Sequence, residues 1–391
     1  MELFAQMFSG AVELANWKLP VMYIIGGILI YLAIKKDYEP MLLLPIGFGA
    51  ILVNLPFGTV WSQVINGTAE SGFLQTLYSA GIITELFPIL IFIGIGAMID
   101  FSHLLKMPKM MLFGAAAQFG IFFTILAAIA LGEAFPSLNI GLADAAAIGI
   151  IGAADGPTSI FVARKFSPQF LGAIAVAAYS YMSLVPIIQP PVIKALTTKK
   201  ERLIRMEFKD KHISKAALVI FPIAITLVAG ILAPESASLV GSLMFGNLIR
   251  ECGVLERLSK TAQNELANLV TLLLGITIGA TMQAEQFLRV QTLLIMALGL
   301  VAFIFDTAGG VLFAKLINLF SKNKVNPMIG AAGISAFPMS SRIVQRMATQ
   351  EDPTNFILMQ AVNANVSGQL ASVIAGGVIL QLVPLLLARL S

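Results

Sequence analysis

The chain has 391 residues, of which 58% are hydrophobic and 12% charged, and its mean hydropathy is +0.88. Soluble domains carry about 25% charged residues, so this composition excludes an ordinary water-soluble protein. The net charge of +4 comes from basic residues clustered in loops and does not indicate a nucleic-acid partner. The single cysteine, Cys252, excludes an intrachain disulfide or a paired-cysteine metal site.

The first ten residues, MELFAQMFSG, lack the basic region and apolar stretch of a signal peptide. Two interpretations stay open for them, an amphipathic helix along the membrane interface and an irregular start.

Apolar runs long enough to cross a bilayer follow one another along the chain. A membrane-spanning helix needs about 20 mostly apolar residues. The sequence predicts such spans at 20–35, 40–56, 80–100, 110–131, 169–193, 216–233, 237–249, 266–284, 292–317 and 356–388. Two more apolar segments, 139–163 and 326–345, are interrupted by Gly, Pro and hydroxyl residues and are predicted to be broken or re-entrant. The predicted fold is an all-α polytopic membrane protein with about 10–11 transmembrane segments.

Loop charge predicts the orientation. Residues 194–215 carry eight Lys or Arg, which is typical of a cytoplasmic loop, whereas 57–79 and 132–140 carry none and are predicted to be external. With this orientation, 139–163 enters the membrane from outside and 326–345 enters from the cytoplasm.

The two interrupted segments resemble each other. IGAADGP at 151–157 matches IGAAGIS at 329–335, and an arginine follows at the same offset, Arg164 in one and Arg342 in the other. Inverted repeats with discontinuous helices are typical of transporters, and their interruptions mark binding sites. The predicted divisions are scaffold helices at 1–79, a first repeat at 80–193 broken near 152–160, the basic loop at 194–215 and a second repeat at 216–391 broken near 326–345.

Asp155 is the most telling residue, because it lies deep in the apolar run IIGAADGPTSIF. A carboxylate there costs several kcal/mol unless it is paired, protonated or bound to an ion, which favours a functional role. It is also a good N-cap for a half-helix starting near Pro157, and the two roles are compatible. Thr158 and Ser159 follow with oxygen atoms suited to a hard cation.

Tyrosines 179 and 181 lie about ten residues into the span 169–193. Tyrosine usually marks a membrane interface, but this depth favours a polar cavity. A phenol near a carboxylate can donate a proton or line an ion path, and Tyr181 is the favoured candidate.

A third polar group belongs to the second interrupted segment and the helix after it. Amide and hydroxyl oxygens suit Na⁺, although a lone Asn in a membrane helix usually makes only an interhelical hydrogen bond. Arg342 either binds an anion or ends a helix at the interface. The group comprises Asn326, Ser335, Ser340, Ser341, Arg342, Asn363, Asn365, Ser367 and Ser372.

Other ionisable residues carry weaker signals. Glu85, Asp144 and Asp306 also lie in apolar runs, where an interfacial or paired structural role is as reasonable as a functional one. Lys106 and Lys109 lack the Ala-Met-Lys-Met context of a biotinylated lysine, so any biotin must come on another chain. Both histidines fall in predicted loops, which excludes a histidine-ligated metal inside the membrane.

Three stretches together carry a family resemblance: GAADGPTSIFVARK, YSYMSLVPIIQPPVIKALTTKKER and NPMIGAAGISAFPMSSRIV. Over roughly 80–385 the chain resembles the beta subunit of the sodium-pumping, biotin-dependent oxaloacetate, glutaconyl-CoA and methylmalonyl-CoA decarboxylases. Its short amino-terminal region favours an acyl-CoA enzyme, but the sequence does not name the acid that is decarboxylated, because another subunit binds it.

The resemblance implies a bacterial or archaeal inner-membrane subunit that decarboxylates carboxybiotin, moves Na⁺ outward and consumes a proton. It also implies a soluble carboxyltransferase, a biotin carrier and a small membrane subunit as partners, and a homotrimer. The residues that match the family's functional positions are Asp155, Tyr181, Asn326, Gly330, Ser335, Arg342 and Asn365. We expect Asp155, Tyr181 and Arg342 to act in catalysis, and Asp155, Asn326, Ser335 and Asn365 to bind Na⁺. Gly330 is a further candidate, and the polar residues Tyr179, Thr158 and Asn363 are added from the sequence pattern itself.

Two other function classes remain open. A stand-alone transporter exchanging Na⁺ or H⁺ for an organic anion would share the repeats and the buried carboxylate, but it would work without partners. A structural anchor for a soluble enzyme would tolerate substitution of Asp155 and Tyr181.

Overall fold

The computed structural model describes residues 16–65, 67–206 and 212–390, and the initial MELFAQMFSG segment lies outside these ranges. The protein is 79% helical, which confirms the predicted all-α class. Within the described ranges the only strands are Ser62–Ile65 (β1) and Thr68–Ser71 (β2), an antiparallel hairpin that pairs Ser62 with Ser71. This hairpin lies in the predicted external segment 57–79.

The first half of the chain forms eleven helices in the described residues. They are α1 (Lys18–Lys36), α2 (Pro40–Val53), α3 (Phe73–Leu77, continued as a π-helix over Tyr78–Ile83), α4 (Leu86–Met98), α5 (Ser102–Lys106), α6 (Met111–Ala117), α7 (Phe119–Ala134), α8 (Leu142–Gly149), α9 (Gly156–Phe166), α10 (Leu171–Ser183) and α11 (Val185–Leu196).

The second half continues this pattern. Its helices are α12 (Lys199–Arg202), α13 (Lys215–Leu232), α14 (Ala237–Glu251), α15 (Glu256–Thr261), α16 (Ala267–Ala280), α17 (Ala284–Phe287), α18 (Val290–Phe320), α19 (Met328–Ala331), α20 (Met339–Glu351) and α21 (Leu358–Leu390).

Four helical stretches are long and apolar enough to cross a membrane: α1, the stretch Pro108–Ala134, α18 and α21. Two bent pairs bring the number to six if each pair is one span. This number is below the predicted 10–11, because several predicted spans are helices too short to cross alone, such as Pro40–Val53. These long apolar helices are those of a multi-pass membrane protein.

Breaks are more frequent than the sequence indicates. The predicted single span 169–193 is bent by 68° between Ser183 and Val185, where Leu184 ends one helix and a proline opens the next. A second bend of 60° separates α3 from α4. Pro186 lies in the first turn of α11, where a backbone N–H would have no helical acceptor, so the proline costs no helical hydrogen bond there.

Glycine pairs set the closest helix contacts. Gly49 of α2 packs against α16, and Gly279 of α16 packs against α2. Gly96 of α4 and Gly246 of α14 pack against each other's helices in the same manner. A Cβ at any of these four positions would lie within 2.3 Å of a backbone oxygen on the partner helix. Small residues that let backbones approach are the usual means of packing helices in lipid.

One cavity brings the two segments predicted to be external together. A cavity of about 410 Å³ is lined by Trp61 and Asn139, from the two segments predicted to be external, and by Gln169, Gln283 and Arg289. The segments 57–79 and 132–140 therefore lie on one side.

Candidate ion site

The first break supplies the carboxylate. After α8 the chain runs through a 3₁₀ turn, Ile150–Ala153, and Ala154 takes the left-handed conformation with φ of 52°. Asp155 is then extended and caps α9: one carboxylate oxygen accepts the backbone N–H of Thr158 at 3.3 Å, and the other accepts its hydroxyl at 2.7 Å. The break thus holds the carboxylate in place at a helix N-terminus, which stabilises its negative charge.

The second break meets the first directly. Between α19 and α20 the chain is irregular, and Ser335 lies in this stretch. Its backbone N–H and its hydroxyl both donate to the carbonyl of Ala153, at 3.1 Å and 2.6 Å. The two interrupted segments therefore cross two residues before Asp155.

One stripe of α21 lines this crossing. Asn365 donates its amide to the carbonyl of Ile334 at 2.7 Å. One turn on, the amide of Gln369 lies 3.4 Å from a carboxylate oxygen of Asp155, and Ser372 donates its hydroxyl to the same oxygen at 2.8 Å. Residues spaced by four and then three positions share a helix face, so a single face of α21 contacts both breaks.

The electrostatic setting of Asp155 is unusual. The residue is 3% exposed, and no Lys, Arg or His of the described ranges forms an ion pair with it. All its hydrogen-bond donors are neutral. An ionised carboxylate buried without a counter-charge is strongly disfavoured.

Several polar side-chain atoms of α10 and α21 are buried without a hydrogen-bond partner. Tyr179 packs its ring on Gly156, where an added Cβ would lie 2.1 Å from the ring, and its hydroxyl is buried without a partner. The carbonyl oxygen of the Asn365 amide is likewise unpartnered, as are both polar atoms of Asn363. Such atoms are rare in folded proteins, and hard cations prefer oxygen ligands of this kind.

A different class of metal site is absent from the described residues. They hold no group of three or more His, Cys, Asp or Glu placed to bind a metal ion. Asp155 with neutral oxygens carries a single negative charge, which suits a monovalent cation better than a divalent one.

The structure brings Tyr179 rather than Tyr181 beside the helix that Asp155 caps. Tyr181 donates its hydroxyl to the carbonyl of Met296 on α18, at 2.5 Å. The two side chains therefore point to different neighbours, although the sequence favours Tyr181.

Three other predicted residues lie outside the crossing. Asn326 is at the start of the second segment, where its amide donates to the carbonyls of Arg202 and Ile204 at 2.9 Å each. Its carbonyl oxygen accepts from the backbone of Met328, so the side chain is committed to the end of the bundle that carries the basic loop. Arg342 is exposed. Gly330 permits close contact between α19 and α18, since an added Cβ would lie 1.9 Å from a backbone oxygen.

Two of the remaining acidic residues have structural partners. Glu85 forms an ion pair with Arg164. Asp144 accepts hydrogen bonds from Ser167 at 2.5 Å and Gln169 at 2.7 Å.

Gln369 was not singled out by sequence reasoning. In the sequence, only its spacing from Asn365 and Ser372 places it on the same helix face. That spacing becomes informative once the structure shows that this face contacts the two breaks.

Comparison with known proteins identifies the family. Residues 18–383 match the family model described as the Na⁺-transporting oxaloacetate decarboxylase beta subunit. The chain is 48% identical over 378 residues to the methylmalonyl-CoA decarboxylase subunit beta of Propionigenium modestum, covering 93% of this chain and 94% of that protein. It is 50% identical over 371 residues to the glutaconyl-CoA decarboxylase subunit beta of Acidaminococcus fermentans, covering 94% of each.

A third relative is the oxaloacetate decarboxylase beta chain of Klebsiella pneumoniae, 44% identical over 411 residues, with 93% of this chain and 94% of that protein covered. The resemblance inferred from the three sequence stretches is confirmed. The buried carboxylate at the crossing of two broken helices thus occurs in a membrane protein that belongs to the family of Na⁺-transporting decarboxylase beta subunits.

Proposed function

We propose that this chain decarboxylates carboxybiotin, delivered by a partner subunit, and uses the reaction to drive Na⁺ outward across the inner membrane. The single observation that supports the proposal is Asp155, a buried carboxylate with neutral donors only, at the crossing of the two broken segments.

Na⁺ binds at this crossing in the proposal. Asp155 supplies the charge, and the oxygens of Ser335 and Asn365 are the neutral ligands, with Thr158 beside them. Binding of Na⁺ offsets the cost of burying the carboxylate, so the ion and the buried charge stabilise each other. Asn326 could join these ligands only by breaking its present hydrogen bonds. We therefore assign it a structural role at the end of the bundle.

Decarboxylation needs a proton. The bond between the biotin nitrogen and the carboxyl carbon breaks, CO₂ leaves, and the nitrogen takes up a proton. Tyr179 is the proposed relay, because its buried hydroxyl is free and its ring lies against the helix that Asp155 caps. Tyr181 joins the route only after its bond to Met296 opens.

Coupling would come from movement at the crossing. The carbonyl of Ala153 and the two donors of Ser335 join the segments, and the single face of α21 touches both. Loss of CO₂ would shift these contacts and change the side to which the Na⁺ site opens, as in alternating access between repeats.

The partners follow from the same proposal. A soluble carboxyltransferase and a biotin carrier would deliver carboxybiotin on the side of the basic 194–215 segment, and a small membrane subunit would complete the complex. This chain carries no biotin of its own, and we expect it to form a homotrimer.

The test uses the complete complex in proteoliposomes. Asp155→Asn should abolish both Na⁺-stimulated decarboxylation and uptake of radioactive Na⁺ while the complex still assembles. Asp144→Asn is the matched control, because Asp144 lies in the same segment but has structural partners. Na⁺ stimulation that survives in Asp155→Asn would remove Asp155 from the proposed role.

The stand-alone transporter is tested in the same system. Purified chain without partners should take up no organic anion. Uptake by the isolated chain would favour that alternative.

A further inference from the structure

A second carboxylate lies in the interior, on the long helix α18. Asp306 is 0% exposed. Its Oδ1 accepts the backbone N–H of Ile121 at 3.1 Å, at the start of α7, directly after the chain breaks at Gln118. Its Oδ2 is buried and has no hydrogen-bond partner. Half of the carboxyl group therefore caps a helix, and the other half has no structural explanation.

The unexplained oxygen faces the first break. A Cβ added to Gly152 would lie 2.6 Å from Oδ2 of Asp306, and one added to Gly120 would lie 2.6 Å from Oδ1. Gly152 precedes Asp155 by three residues. Asp306 thus lies against the short piece of backbone that carries Asp155.

No cation neutralises Asp306 in the described part of the chain. The elements packed against α18 carry the titratable residues Glu133, Asp144, Tyr179, Tyr181, Lys194 and Glu285. None of these forms a hydrogen bond or an ion pair with Asp306. An ionised carboxylate in this position would be uncompensated apart from the helix N-terminus, so the acid is neutral or binds a cation.

Further neutral oxygens without partners lie on the same elements. They are the hydroxyls of Thr124 on α7 and Thr307 on α18, and the side-chain carbonyl of Gln118 at the break before α7. These polar atoms are an independent sign that the region serves more than packing, because buried polar groups are normally satisfied.

We propose that Asp306 is a second ion-handling carboxylate of the membrane unit, which holds a proton on Oδ2 in the state described here and gives it up when the break at Gly152 moves. The exchange balances in charge: the proton leaves Oδ2, and a Na⁺ ion that enters beside the break offsets the carboxylate left behind. The inference rests on the proposed ion transport, but the protonation of Asp306 is testable without it.

The first experiment measures protonation directly. Infrared spectra of the complete complex in lipid, at saturating Na⁺, should contain a carboxylic-acid C=O band that disappears in Asp306→Asn and persists in Asp144→Asn. An unchanged band in Asp306→Asn would show that Asp306 is ionised, and the proposal would fail. This result does not depend on whether Asp155 binds Na⁺.

The second experiment separates ion handling from helix capping. Asparagine keeps the Oδ1 acceptor for Ile121 but cannot carry the proton. Asp306→Asn should therefore lower coupled turnover about 100-fold, and Asp306→Glu, which can still carry a proton, should restore part of the turnover.

Wild-type turnover and pH profile in Asp306→Asn would mean that Asp306 is a neutral helix cap, which would overturn the inference. If Asp306→Asn fails to assemble, Asp306→Glu still decides, because a proton carrier gives a shifted pH profile of turnover, whereas a wild-type pH profile would overturn the inference. Failure of the proposed function itself would appear in Asp155→Asn, not in these variants.

Discussion

The two broken segments do different work with similar sequences. In the first, a charged residue, Asp155, caps an 11-residue helix. In the second, Ser335 stands at the crossing and donates two hydrogen bonds to the first segment, and α20 then begins without a side-chain cap. One break therefore supplies a carboxyl group, and the other supplies a neutral serine that binds the backbone two residues before it.

The two segments also differ in charge at the ends that lie away from the crossing. The first segment ends in an ion pair between Arg164 and Glu85. The second begins with Asn326, which is tied by neutral amide hydrogen bonds to the carbonyls of Arg202 and Ile204. Ion pairs weaken with salt whereas amide bonds do not, so the two ends should respond differently to ionic strength.

The largest expected effect comes from removing the charge from one break and a neutral group from the other. Asp155→Asn should lower Na⁺-dependent decarboxylation more than about 100-fold, because the buried charge is the main attraction for the ion. Ser335→Ala should raise the half-saturating Na⁺ concentration about 10-fold, which is the cost of one lost hydrogen bond or ligand. Both are measured as Na⁺ titrations of the complete complex.

Equal losses in the two variants would contradict the division between a charged and a neutral break. Ser367→Ala is a matched control for Ser335→Ala, since Ser367 bonds only backbone carbonyls, those of Met110 and Ala364.

A smaller effect is expected from steric pressure on the charged break. Gly156→Ala places a Cβ 2.1 Å from the ring of Tyr179, so either the ring or the capped helix must move. Overpacking of this kind destabilises by about 1–3 kcal/mol. Thermal unfolding of the purified protein measures it, and Gly27→Ala is the control, because nothing lies within 4 Å of an added Cβ there. Equal melting temperatures for the two variants would show that the contact is not tight.

The end of the neutral break should respond more weakly. Asn326→Ala removes hydrogen bonds to Arg202, Ile204 and Met328, each worth about 1 kcal/mol. Hydrogen exchange of the 199–206 backbone should become faster, while the Na⁺ titration keeps its midpoint. A shifted midpoint would return Asn326 to the ion site.

The smallest expected effect is the loss of the Asp352 contacts at low pH. Hydrogen bonds from the hydroxyl and backbone N–H of Thr354, and after them the contact with Arg205, lower the pKa of Asp352 from 3.8 to about 2. Because the folded pKa is below the unfolded one, this contact stabilises the basic segment above pH 3.8 and is lost as the pH falls towards 2.

Hydrogen exchange of residues 199–206 across this pH range measures the loss. Thr354→Ala should shift the transition upward more than Arg205→Gln, since Thr354 makes the larger contribution. The opposite order would show that the ion pair dominates.

Much of this protein was predictable from the sequence, because bilayer physics leaves strong traces in it. Apolar runs predicted the helical class, and the Gly and Pro residues within them predicted the two interrupted segments. A carboxylate in an apolar run marked Asp155 as a candidate site residue. The stretch around Asp155 also carried the family resemblance, which the comparisons confirmed. The inverted relation of the repeats and the roles of the site residues remain predictions.

Only the tertiary structure decided which groups meet. Tyr179 and Tyr181 are two positions apart, so they point about 200° apart around the helix, and the sequence does not say which one faces the break. The bend after Ser183 and the neighbours of Asp306 likewise depend on contacts between distant parts of the chain. The helical period sets how side chains lie relative to one another, whereas the face that turns inward depends on packing between residues distant in the chain.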